Sequence, residues 1–489
     1  MSNPSAVRNV ANSILLLLRN LLIALLAMAL GLALGINLGG RQVTWPITLA
    51  GLSFYALVIL ANPLAGLLFW VVTAPFSRFI YLDLVVRQSL PDLTLTRLCA
   101  AFMLVLVLAQ LANGKMRFFR PIALDGLILA TLVAIGASLP ASLQGFQWAL
   151  VSFFDTYFIP LIVYLLARTL VRGRQEAEHV ASAFVILGTI LTTVALQEQL
   201  SGNVLFTYTE RSWTYSKDLH KLAGLLGSPA FFATLITMGS VFAVYRLTRA
   251  RTFNAEVLYT FLAAYMAVGV FFTYNRAGYL GLAIDVVIMA LAWPRFRRLF
   301  VAAALVGGMA VIFSWSAVQQ SAVVTERLQA KGPITYRLEI WGRATQILLR
   351  NPIFGLGFFN FGPAYLRYNP AWVEGVVLPA PHNTVLEVTF NSGLIAGIPY
   401  VATILLIITS IVRFYRRARD DVDSGGESGE AALVLAFGLA LLAYLVQSMV
   451  VDMVAAYYVN TVMMLALGAL FGWQTERNYA SRHPGPVSN

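Results

Sequence analysis

Four histidines are spread over the 489 residues, and His382 has the setting best suited to acid–base chemistry. It lies in Pro379-Ala-Pro-His-Asn-Thr, directly before an apolar run that contains Glu387 and ends at Asn391-Ser-Gly393. The prolines restrict the approach, and a helix start would hold the imidazole at a fixed place. An imidazole, with an ordinary pKa of about 6.5, can take the proton from an attacking hydroxyl. The same position also suits a helix-capping or loop histidine. His220 stands next to Lys221, while His179 and His483 read as solvated surface beside a basic turn and in the tail.

Cations are the second signal. Arg211, Lys217 and Lys221 fall in one loop, and Arg276 sits in Phe-Phe-Thr-Tyr-Asn-Arg-Ala-Gly between two apolar runs with almost no loop. An arginine there is costly unless it faces the protein interior or an anionic ligand, although snorkelling to lipid headgroups is an alternative. Arginine offers a planar fork that matches phosphate oxygens bidentately, and lysine offers a point charge. The sequence has no Cys/His metal spacing and no Gly-rich phosphate loop, and its Asp421-Val-Asp423 reads as solubilising. No metal and no cofactor are expected. Cations and one placed imidazole suit transfer from a leaving group that is already a phosphate ester, the cations stabilising the charge that develops on it.

The elements that would position these residues are membrane helices. Hydrophobic residues make up 59% of the chain and charged residues only 11%, with a mean hydropathy of +0.76. Soluble domains carry about 25% charged residues, so a soluble enzyme, a disordered chain and a disulfide scaffold are excluded. The net charge of +12 reads as the cytoplasmic Lys/Arg bias of membrane proteins rather than as a nucleic-acid footprint. A lone cysteine, Cys99, can form no internal disulfide. Apolar runs of spanning length occur at 14–36, 47–61, 64–76, 97–112, 122–139, 150–170, 180–199, 230–247, 257–274, 277–293, 299–317, 393–412, 431–450 and 455–473. The second and third are short, so a bundle of 12–14 transmembrane helices is expected.

Tight basic clusters at 115–120, 168–174, 246–251, 295–298 and 413–419 occur at alternate loops, which predicts cytoplasmic termini. The stretch from Ile14 to Ile36 is too long for a signal core and reads as the first helix, with Arg8 on the cytoplasmic side. The expected organisation is N-terminal helices over 1–200, a periplasmic loop over 201–229 and helices over 230–317. A large periplasmic loop over 318–392, C-terminal helices over 393–473 and a cytoplasmic tail over 474–489 follow. Within the large loop, Ile334, Leu338, Trp341 and Leu348 predict an amphipathic helix on the outer membrane surface, ended by Asn351-Pro352. The stretch 420–430 reads as a flexible cytoplasmic linker.

Several segments together resemble the O-antigen ligase/polymerase family. They are Tyr336-Arg-Leu-Glu-Ile-Trp-Gly-Arg, Asn351-Pro-Ile-Phe-Gly-Leu-Gly-Phe, Pro381-His-Asn-Thr-Val-Leu-Glu-Val and Asn391-Ser-Gly-Leu-Ile-Ala-Gly. Lys221-Leu-Ala-Gly with Pro229, and Thr273-Tyr-Asn-Arg-Ala-Gly-Tyr-Leu, fit the same pattern in the same order. The resemblance implies an all-α polytopic membrane protein with a large helical periplasmic loop. It implies a metal-independent, inverting glycosyltransferase of the bacterial inner membrane that uses a glycan on undecaprenyl pyrophosphate. His382 would be the general base, Arg276 a pyrophosphate-binding arginine, and Lys221 stands where the family usually has arginine, which shifts weight to Arg211. Arg337 would be structural or donor-binding, with Asn383 and Glu387 in support. The acceptor would be lipid A-core for a ligase or a growing polysaccharide for a repeat-unit polymerase. A flippase or other transporter of lipid-linked glycans is the non-enzymatic alternative, but it needs a polar path that the scattered Asp125, Asp155, Glu198 and Asp285 do not form.

Overall fold

The computed structural model describes residues 44–79, 94–201, 215–216, 219–220, 224–293, 332–368, 379–423 and 429–483, with single positions at 297, 300 and 301. Nearly all of it is helix; the exception is an antiparallel pair of two-residue strands, Tyr215–Ser216 and Leu219–His220. Eight of the described helices are long and apolar enough to cross a bilayer, so the protein is a polytopic helical membrane protein. The expected spans at 14–36 and 299–317 lie outside the described residues.

The chain divides into two compact units, 1–106 and 107–489. In the first, α1 (Thr44–Ala61) and α2 (Pro63–Thr73) form a hairpin about Asn62, whose side chain accepts from the Ala65 N–H at 3.1 Å. At 11 residues α2 reaches roughly 16 Å, about half the hydrocarbon thickness. Helix α3 (Leu95–Ala112) runs on to the second unit.

The second unit contains α4 (Ala123–Ala137), α5 (Phe146–Phe153), α6 (Ile159–Leu170), α7 (Arg174–Ser201), α8 (Pro229–Arg249), α9 (Phe253–Phe272) and α10 (Arg276–Ala292). After them come α11 (Gly332–Leu348), α12 (Phe361–Tyr368), α13 (Thr384–Asp423), α14 (Gly429–Ser448) and α15 (Tyr457–Arg482). Between α5 and α6 one π-helical turn, Phe154–Phe158, keeps the rod continuous. Small residues let helices approach closely in the core: Gly188 of α7 and Gly239 of α8 meet backbone to backbone, where an added Cβ would lie 2.9–3.1 Å from the facing Cα.

One end of this unit is locked by a buried ion pair. Arg168, fully buried near the end of α6, reaches Asp125 at 3.1 Å, the Arg120 carbonyl at 2.7 Å and the Phe471 carbonyl. Tyr164 donates to the other Asp125 oxygen at 2.5 Å. All the guanidinium's neighbours are arranged around its charge, so removing it leaves Asp125 desolvated and unpaired. Arg168→Met should therefore cost about 3–5 kcal/mol. In detergent, its thermal midpoint should fall well below that of an Arg251→Met control; an unchanged midpoint would show that the pair is not a lock.

The opposite end holds the histidine, and here the structure corrects one expectation. The expected loop does not extend to Ser392, because α13 already begins at Thr384 and is interrupted at Gly393 (φ 71°, ψ −176°). That conformation is essentially open only to glycine. A break in a membrane helix frees backbone groups that must find partners. They find them in the segment 351–357: the Leu356 and Gly357 N–H groups donate to Phe390 and Asn391 carbonyls, and Leu394 and Ile395 donate to Pro352 and Ile353 carbonyls. A Cβ on Gly393 would stand 2.0 Å from the Ile353 oxygen, so glycine is required twice over. The Asn-Pro-Ile-Phe-Gly-Leu-Gly motif is thus the strap that completes a broken helix.

Helix α11 lies where the amphipathic helix was expected. Ile340, Ala344 and Ile347 are the buried stripe, packed with Phe361, Tyr365 and Phe390, while Leu338 is 61% exposed. The helix is apolar on two sides, and only one of them rests on protein.

Candidate functional site

Four elements converge at the histidine end: the turn before α13, the loop between α14 and α15, the start of α10, and α11. His382 occupies a left-handed backbone conformation (φ 48°), sparsely populated by non-glycine residues and held only where neighbours over-determine it. The neighbours are present. The Trp341 indole N–H of α11 donates to the Pro381 carbonyl at 2.7 Å. Asn383 caps α13 by accepting from the Leu386 N–H at 2.9 Å. Its amide donates to the Met449 carbonyl at 3.3 Å. The Thr384 hydroxyl bridges the Val451 carbonyl and the Met453 N–H. Asn383 thus ties the turn before α13 to the loop after α14.

These bonds bring the imidazole against Asp452: His382 Nδ1 lies 3.2 Å from Asp452 Oδ2. A carboxylate there favours the neutral tautomer that carries its proton on Nδ1, which leaves the lone pair on Nε2. The histidine side chain is 37% exposed, enough for a substrate hydroxyl to reach it. Nothing in the sequence reading had singled out Asp452 for chemistry. The available signal was that it is the sole charge in the short loop after α14.

The arginines complete the site. Arg276 is the first residue of α10, exposed, and follows Asn275, which caps the helix by accepting from the Gly278 N–H at 2.6 Å. Asn275 is itself held by the Gln447 amide of α14 at 3.1 Å. A cation at a helix N-terminus adds to the positive end of the dipole, a combination that favours an anion. Arg337 of α11 is half-buried and within electrostatic reach of both Arg276 and Asp452. Burial lowers its pKa from the usual value, Asp452 opposes that shift, and repulsion from Arg276 adds to it. Neither guanidinium has a hydrogen-bonded or ion-paired partner among the described residues. Two unpartnered arginines beside a helix N-terminus can clamp a multiply charged phosphate group.

Glu387 faces inward from the first turn of α13, buried, close enough to Asp452 to interact electrostatically, and adjoined by Tyr157 and Tyr400. It does not share the exposed face of the histidine. Lys221 and Arg211 lie outside the described residues, as does Lys217; His220 lies in a strand whose side chains are not described. Among the described residues no three His, Cys, Asp or Glu side chains gather as metal ligands.

A polytopic helical membrane protein with a carboxylate-oriented imidazole and an arginine pair at one end is what the fold and geometry define. Residues 261–401 match the family described as O-antigen ligase. The match covers 141 of the 489 residues and agrees with the resemblance of the sequence segments to the O-antigen ligase/polymerase family. The matched stretch contains Arg276, Arg337, His382, Asn383, Glu387 and Gly393, and excludes Arg211, Lys221 and Asp452. No curated protein matches the chain.

Proposed function

We propose that this protein is a metal-independent, inverting glycosyltransferase of the bacterial inner membrane. It moves a glycan from undecaprenyl pyrophosphate to an acceptor hydroxyl on lipid A-core at the periplasmic face. The observation that carries this reading is the His382–Asp452 contact at 3.2 Å beside Arg276 and Arg337. His382 Nε2 takes the proton of the acceptor hydroxyl as its oxygen attacks the anomeric carbon. The bond from that carbon to the pyrophosphate oxygen breaks, and the electron pair leaves with the pyrophosphate. Attack from the face opposite the leaving group inverts the anomeric configuration. Arg276 and Arg337 stabilise the leaving charge, and Asp452 stabilises the imidazolium.

The sidedness follows from charge. Arg168, Arg172, Arg174, Arg246, Arg249 and Arg251 lie at the ends of α6 to α8 away from the histidine, which the positive-inside rule assigns to the cytoplasm. Single cysteines introduced at Arg251 and Leu349 test this assignment. Only the Leu349 position should react with a membrane-impermeant thiol reagent added to whole cells with a permeabilised outer membrane. Labelling of the Arg251 position alone would place the site on the wrong side for this chemistry.

The arginine role has its own expected result. Arg276→Ala removes a charge-assisted contact worth about 1.5–3 kcal/mol. Donor affinity should drop roughly 10- to 100-fold, while Arg343→Ala, on an exposed position of α11, leaves it unchanged. Acceptor specificity is read in the same assay: transfer to a second lipid-linked glycan in place of lipid A-core would make the protein a repeat-unit polymerase with the same site.

A further inference from the structure

At the cytoplasmic end, α13 carries four arginines in seven residues, Arg413, Arg416, Arg417 and Arg419, none of which the transfer reaction uses. They are not equivalent. Arg417 reaches Asn478 of α15 at 3.3 Å. Arg416 and Arg419 instead line a cleft of about 490 Å³ between α13 and α14, with Ile411, Val412, Tyr415, Asp420 and Leu435. Both are exposed, and neither has a partner among the described residues.

The cleft has a shape set by one glycine. Gly438 of α14 lets Ile411 press close, since a Cβ there would lie 2.8 Å from the Ile411 side chain. The helices are therefore tight at that level, and the cleft lies beside it along Tyr415, Arg416 and Arg419. On the membrane side, Leu405, Ile408 and Val412 are exposed at helical spacing and form an apolar stripe that leads up to Tyr415 and Arg416. Depth agrees with this division. From the break at Gly393, Arg416 is roughly 35 Å along the helix at about 1.5 Å per residue, somewhat more than the ~30 Å hydrocarbon thickness. With Gly393 taken as the outer hydrocarbon boundary, the stripe falls at acyl-chain depth and the two guanidinium groups at headgroup depth.

We propose that this cleft is a seat for one anionic phospholipid of the inner leaflet. Its phosphate lies between Arg416 and Arg419, and an acyl chain runs along Val412, Ile408 and Leu405. Two free cations above an apolar stripe match a lipid with a net negative head, and a zwitterionic lipid gains less from them. The seat is independent of the glycan-transfer site, which is at the other end of the bundle.

The test uses the full-length protein, purified in nonionic detergent and stripped of lipid, with thermal unfolding as readout. Added phosphatidylglycerol should raise the midpoint saturably, while phosphatidylcholine and inorganic phosphate at equal concentration should not. Arg416→Gln/Arg419→Gln should weaken the phosphatidylglycerol response at least tenfold in apparent affinity, and Arg413→Gln should leave it intact. Should the double variant fold poorly, native mass spectrometry of the two single variants should show loss of the retained lipid carried by the wild type. Equal lipid response or retention in the cleft variants, or equal loss in Arg413→Gln, would overturn the seat. A shift produced by inorganic phosphate alone would make it a small-anion site and overturn the lipid assignment.

Discussion

His382→Ala should lower glycan transfer by about 10²- to 10⁴-fold, the range over which a positioned general base contributes. Donor affinity should stay near that of the wild type, because the imidazole touches the acceptor proton and the pyrophosphate is held by the arginines. This split between turnover and binding is what distinguishes a base from a structural histidine. The structural alternative is a real one here, since His382 occupies a strained turn ahead of α13. It is controlled for by His382→Asn, a residue that tolerates the left-handed conformation and cannot act as a base. Both variants should fold with the wild-type thermal midpoint to within a few degrees and both should be inactive. Activity in His382→Asn would mean that the turn, and not the imidazole, is what transfer requires.

The second large effect is expected at Asp452. In the proposed reaction its carboxylate, 3.2 Å from Nδ1, would fix the ring tautomer and stabilise the imidazolium formed during attack. Asp452→Asn keeps the shape but removes the charge and presents an amide that can hold the wrong tautomer. Transfer should fall by about 10²-fold or more, a loss of the kind seen when the acid behind a catalytic histidine is neutralised. Arg337 also feels Asp452, so a modest weakening of donor binding should accompany the loss. The comparison to make is kcat and donor KM for Asp452→Asn and Asp452→Ala beside Asn383→Ala, which loosens the same turn without changing its charge. If Asp452→Asn retains wild-type kcat, the aspartate orients nothing.

Much of the fold was legible from the sequence because membrane helices advertise themselves by length, composition and flanking charge. The sequence also drew attention to Arg276 and His382, because an arginine with no loop and a histidine after two prolines are each unusual on their own. What the sequence hid depends on proximity. Asp452 is a single acid in a short loop, 70 positions from His382, and only the hydrogen bonds of Asn383 and Thr384 to that loop bring the two together. The helical break was hidden for a different reason. Leu394-Ile-Ala continues the apolar pattern across Gly393, and what interrupts the helix is the docking of the 351–357 strap. The second apolar side of α11, Ile340, Ala344 and Ile347, was not singled out in the sequence, because only its packing on Phe361, Tyr365 and Phe390 distinguishes it.

The central claim is that this end of the bundle transfers a glycan off a polyprenyl pyrophosphate. The most direct measurement is transfer by the purified protein in vesicles, given an undecaprenyl-pyrophosphate-linked glycan, lipid A-core and excess chelator. One undecaprenyl pyrophosphate should be released per glycan joined, with the new linkage inverted at the anomeric carbon. Movement of the intact lipid-linked glycan between leaflets without release of undecaprenyl pyrophosphate would contradict the account and make the protein a transporter.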